Sequence, residues 1–174
     1  MRMNHLRLPR RIAAIAALCA VVMACTLPAT SNAKVRGCAA GAEQALSPDG
    51  LKQVTLCISS SGKTRIFTAE IAGTSMEQAK GMMFRTALAD DKGMIFPFRE
   101  PKVASFWMKN TVIPLDIIFI RANGTIESIA ENTIPYSTSP VEAGEPVTAV
   151  LELRGGLTAE LGIGAGDMVR WTAK

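Results

Sequence analysis

The sequence predicts a mainly β, α+β fold: one compact antiparallel barrel or sandwich-like domain over residues 51–174, with one or two short helices. Short apolar runs with strand periodicity recur about seven or eight times, turn-forming residues separate them, and helical spacing appears only briefly.

In chain order, residues 34–50 are rich in Ala, Gly and Ser without a period, and read as a linker or arm. Val54, Leu56 and Ile58 alternate with Gln53, Thr55 and Cys57, and residues 66–71 alternate likewise. The Ser-Ser-Ser-Gly interval between them completes a hairpin. Thr74 or Ser75 can cap a short helix over 76–83, with Glu77 and Gln78 where the helix dipole favours acid.

Residues 93–98 and 103–108 are apolar runs, separated by Arg99-Glu100-Pro101-Lys102, which reads as a turn. Residues 115–120 are nearly all apolar, so the strand there is covered on both faces. Asn123-Gly124 predicts a type I′ hairpin leading into a strand over 125–131. The prolines, glycine and serines of residues 134–146 predict a long loop, able to form a lid or rim. A strand over 147–153, a break at Gly155-Gly156, a helical turn over 157–161 and a strand over 167–172 complete the order. Gly162, Gly164 and Gly166 precede a strand and read as turns, not as a phosphate loop.

Residues 1–33 read as an export signal, with Arg2, Arg7, Arg10 and Arg11 before an uncharged apolar run over 12–24. At roughly 13 residues that run is shorter than the about 20 a transmembrane helix needs. Two processing routes fit. Ser31-Asn32-Ala33 is a small-residue cleavage site, and Val22-Met23-Ala24-Cys25 resembles a lipobox ending at residue 24, with Cys25 lipidated. Either route puts the domain outside the cytoplasm, in the periplasm or cell envelope, with membrane contact expected only through a lipid on Cys25.

From Lys34 onward the chain holds 15 basic and 15 acidic residues, so nothing electrostatic favours nucleic acid. Its cysteines there are Cys38 and Cys57, which an oxidising compartment would join as a disulfide. The single histidine, His5, falls in the leader, which removes Ser-His-Asp, Cys-His and histidine-zinc chemistry from the mature domain. Met76, Met82, Met83, Met94, Met108 and Met168 lack the dense spacing of copper carriers and read as core filling. No cofactor and no metal site are expected.

The chemistry concentrates in Phe106-Trp107-Met108-Lys109-Asn110-Thr111 and Pro114-Leu115-Asp116, where polar groups interrupt apolar sequence. Burying such groups costs several kcal/mol unless each is partnered, so they form either a satisfied internal network or a pocket wall. In the first reading Asp116, Asn110 and Thr111 satisfy backbone groups at a bend before Pro114. In the second, Arg85, Trp107, Lys109, Asn110, Thr111, Asp116 and Glu152 are candidate ligand-binding residues. Tryptophan beside charged and amide groups suits a saccharide or a small carboxylate.

Together with Gly81-Met82-Met83-Phe84-Arg85, Gly93-Met94-Ile95-Phe96, Ile117-Ile118-Phe119, Val150-Leu151-Glu152-Leu153, Gly156 and Gly166-Asp167, the block resembles the uncharacterised family called domain of unknown function 192. The resemblance runs over about residues 66–169 and implies a compact, mainly β domain, often exported, with no established activity. The leading functional expectation is a non-catalytic ligand-binding or accessory domain outside the cytoplasm. The alternatives are a hydrolase or lyase using Asp116 and Glu152 with Lys109 or Arg85, and a structural envelope protein with an exposed apolar partner surface.

Overall fold

The computed structural model describes residues 43–171, all within the unit Lys34–Lys174. The export signal, Cys25 and Cys38 lie outside the described residues.

The strands are β1 (Glu43–Gln44), β2 (Gln53–Ser60), β3 (Lys63–Ile71), β4 (Lys92–Lys102), β5 (Ser105–Phe106), β6 (Leu115–Ile120), β7 (Ile126–Ala130), β8 (Val141–Glu142), β9 (Val147–Arg154) and β10 (Met168–Arg170). Two short helices, α1 (Ser75–Lys80) and α2 (Leu157–Leu161), complete the described elements. The main sheet runs β1-β2-β3-β4-β9-β6-β7, with β10 also paired to β2. A bridge between Thr125 and Met168 draws the start of β7 toward β10, so the sheet curls as a half-barrel. Its pairs are antiparallel except β3 with β4, which α1 and its flanking loops separate in sequence.

Alternation along the strands produces two apolar layers. Leu56, Phe67, Ile95, Ile118, Leu151 and Val169 pack on one face. Met94, Phe96, Ile117, Phe119 and Val150 pack on the other, with Met82, Ala104 and Met108 supplied by the segments that cover it. All six residues of β6 are buried, the pattern expected of a strand covered on both sides.

The β2–β3 hairpin turns at Ser61-Gly62, both with positive φ (47° and 75°). Thr74 caps α1 in a full capping box with Glu77. The helix ends at Lys80, short of the expected residue 83, because Gly81 takes a φ of 46° that a helix cannot continue.

Four further expectations change. Arg99-Glu100-Pro101-Lys102 is not a turn between strands but the irregular end of β4, whose register against β9 shifts between Pro97 and Lys102. Residues 103–108 yield only the two-residue β5, which pairs with β8 in a separate small sheet. The β6–β7 hairpin exists, but its turn is not type I′: only Gly124 has positive φ, and the Gly124 amide donates to the Arg121 carbonyl at 2.9 Å. This is a type I turn closed by a left-handed glycine, with a bulge between Phe119 and Ile120. The last strand is also shorter than 167–172, ending at Arg170.

Candidate functional site

The block from Phe106 to Asp116 divides between two places. Asp116, fully buried, is a structural acceptor. Its Oδ1 accepts from the Asn132 and Gly156 amides, both at 2.7 Å, and its Oδ2 from the Thr158 amide at 2.8 Å and hydroxyl at 2.7 Å. Gly156 begins α2 without a side-chain cap of its own, so Asp116 caps that helix from a neighbouring strand. The backbone groups it satisfies follow β7 and open α2; they are not those of the bend before Pro114.

Asn110 and Thr111 hold a tight loop. Asn110 has a φ of 56°, its carbonyl accepts from the Phe84 amide at 2.9 Å, and its side-chain amide donates to Met83 Sδ at 3.7 Å. Buried Thr111 donates its hydroxyl to the Lys109 carbonyl, while its own carbonyl accepts from the Tyr136 amide. Phe84 and Tyr136 are exposed aromatics at φ 64° and 61°, a backbone region costly for bulky residues and concentrated at binding and switch sites.

Register places Glu152 on the other side of the sheet from Asp116. Asp116 stands opposite Leu153, and Glu152 opposite Ile117 and Met94. Adjacent residues on a strand face opposite ways, so the two carboxyl groups cannot act on one substrate. The expectation of a hydrolase or lyase built on that pair is therefore corrected.

Glu152 belongs instead to the row Glu70, Met94, Glu152, Ile117, which crosses four neighbouring strands on one face. Glu152 is 4% exposed, and its Oε2 has no hydrogen-bond partner among the described residues. Burial pushes its pKa up to about 8, against the pull of the Arg85 charge. Gly93 permits the close approach behind it: a Cβ there would meet the Glu152 carbonyl at 2.8 Å.

Arg85 is largely occupied. Its guanidinium reaches Asp49 at 2.7 Å and Glu70 at 2.6 Å, the latter without hydrogen-bond alignment. Sequence reasoning missed Glu70, because an acid in the polar phase of its strand's alternation reads as an ordinary outward-facing residue.

A cavity of about 230 Å³ opens at Glu152, between the α1 end, the end of β4 and the 105–111 segment. Of the sequence candidates, Trp107, Thr111 and Glu152 line it; Arg85, Lys109, Asn110 and Asp116 do not. Phe96, Phe98, Phe106, Met83, Lys80 and Lys102 complete its relevant wall and were not among the candidate ligand-binding residues read from sequence. Phe96 and Phe106 meet edge to face at 5.1 Å. Two ring faces already carry ammonium groups: Lys102 Nζ lies 4.1 Å from the Phe98 centroid and Lys109 Nζ 5.1 Å from that of half-exposed Trp107.

Two solved structures are similar to this chain. A protein of unknown function from Novosphingobium aromaticivorans DSM 12444 is 48% identical at a TM-score of 0.72, covering 75% of this chain and 94% of that one. A protein from Sinorhizobium meliloti 1021, described as a "putative transcription regulator", is 38% identical at a TM-score of 0.67, covering 69% of this chain and 94% of its own. No curated protein matches. The DUF192 family model, described as Uncharacterized ACR, matches residues 56–171, and with that span and these relatives the chain belongs to the DUF192 family.

Proposed function

We propose that the domain is a non-catalytic binding module that takes a small molecule into the cavity over β9, outside the cytoplasm. The observation that carries the reading is Glu152: a buried carboxyl whose Oε2 has no hydrogen-bond partner among the described residues, lining a cavity walled by aromatic rings. An unsatisfied buried polar atom costs about 1–3 kcal/mol, a cost a ligand could relieve. The cavity volume of about 230 Å³ is at the small end for ligand sites, which favours a compact molecule over an extended saccharide.

Thermal shift with small carboxylates and monosaccharides tests this directly. A ligand at about 100 times its Kd stabilises by about 2.7 kcal/mol, enough to read as several degrees. Trp107→Ala is expected to abolish the response and Lys102→Ala to weaken it. A wild-type protein indifferent to every compound, or a response that survives both substitutions, contradicts the reading.

Export and a Cys38–Cys57 disulfide belong to the same proposal. The basic and apolar leader supports the first, and the second is supported by Cys57, a buried strand residue that is not free of partners. Thiol titration of the exported protein before and after reduction, and the mass of its N-terminus, test them. Two free thiols before reduction would contradict the disulfide, and an intact Met1 would contradict export with cleavage.

A further inference from the structure

The cavity that serves the proposed binding function has a distribution of charge that narrows its ligand. Its floor holds one buried acid, Glu152, with an unpartnered oxygen. The rim holds two exposed ammonium groups, Lys80 at the end of α1 and Lys102 at the end of β4. Between them stand Phe96, Phe106 and Trp107.

A simple carboxylate answers the rim and brings Glu152 no positive partner. A simple amine answers Glu152 and meets two like charges at the entrance. A molecule with an ammonium at one end, a carboxylate nearby and an apolar body answers all three surfaces. Cation–π contact is already a property of this wall, since Lys102 sits over Phe98.

We propose that the ligand is a free amino acid with an apolar side chain, its ammonium paired with Glu152, its carboxylate at Lys102 and its side chain among Phe106, Trp107 and Phe96. This rests on the binding reading above and adds the ligand class.

The charged groups around Glu152 determine how binding is linked to protons. Arg85, from the segment after α1, favours its ionised form, but Glu70 on β3 and Asp49 already engage that guanidinium. Lys80 and Lys102 face the same cavity from α1 and β4, and β6 contributes only apolar Ile117 to the row. Glu152 therefore holds its proton near neutrality and gives it up when an ammonium arrives. Amino-acid binding should release a proton below about pH 8 and tighten as pH rises toward that value.

Calorimetry on the full chain with leucine, isocaproate and isopentylamine separates the parts, because the last two lack the ammonium and the carboxylate respectively. Leucine is expected to bind at least about 30-fold more tightly than either, the scale of losing one partner of a desolvated charge pair. Glu152→Gln should weaken leucine and isopentylamine and spare isocaproate; Lys102→Gln should weaken leucine and isocaproate and spare isopentylamine. Should Glu152→Gln fail to fold, wild-type heats near pH 7 in buffers of different ionisation enthalpy report the released proton. Isocaproate binding as tightly as leucine, or leucine binding without proton release, overturns the inference. A response to monosaccharides alone also overturns it and leaves the binding reading intact, whereas no response to any of these compounds overturns both.

Discussion

Asp116 and Glu152 lie one register step apart on paired strands and face opposite sides of the same sheet. The first is saturated, accepting four hydrogen bonds from three residues; the second keeps a buried oxygen without a hydrogen-bond partner among the described residues. One carboxyl holds the fold, and the other is the chemically unsatisfied group at the cavity.

Asp116→Ala should destabilise the domain by about 3 kcal/mol or more, because it leaves three backbone amides and a hydroxyl unpartnered in a buried region. Chemical denaturation measures this. A loss under about 1 kcal/mol would mean that the α2 start is held by other contacts.

The pH dependence of stability should carry the signature of Glu152. Its folded pKa is raised from 4.5 to about 8, so the folded protein binds this proton more tightly than the unfolded chain does. The contribution is constant below about pH 4.5 and is lost progressively as pH climbs to about 8. Glu152→Gln should therefore gain on wild type by about 2–4 kcal/mol between pH 5 and pH 8, as measured by denaturation at both pH values. A pH-independent difference would contradict a buried, protonated Glu152.

Arg85→Met should cost about 3 kcal/mol, since it strips the ion partner from Glu70, which is only 8% exposed. The same change removes the charge that holds the Glu152 pKa down, so the pH response of stability should extend further upward. Adding Glu70→Gln should recover most of the loss, and denaturation of the single and double variants checks it.

Thr74→Ala should cost about 1 kcal/mol through loss of the capping box. Because α1 buries none of its residues, the effect should appear as local fraying, read as faster amide exchange at Glu77 and Gln78, with the sheet unaffected.

The fold was legible where one local rule decided each element: the alternation of β2 and β3, the unbroken apolar run of β6, and the Thr74 cap. It was less legible where tertiary pairing decided. Pro101 looked like a break, yet an irregular strand end tolerates proline where the register shifts and no ladder amide is required. Asn123-Gly124 announced a hairpin, but the bulge beside Ile120 selected another turn.

The site divided along similar lines. Trp107, Thr111 and Glu152 were recognisable as residues out of keeping with their apolar neighbours. Asp116 was equally conspicuous for the opposite reason, since a helix start 40 residues later in the chain uses it as a cap. Only the pairing of β6 with β9 reveals that these carboxyl groups never meet. Phe96, Phe98 and Lys102 gave no signal, because apolar strand residues and a surface lysine are ordinary until the fold brings them to one cavity.

The most direct test of the central claim is ligand-induced thermal stabilisation of wild type and Glu152→Gln near pH 7, using small carboxylates that include apolar amino acids. The account predicts a rise of several degrees for wild type with at least one apolar amino acid, and little or none for Glu152→Gln with that same amino acid. Equal stabilisation of both proteins, or none in wild type, would contradict a ligand site at the Glu152 cavity.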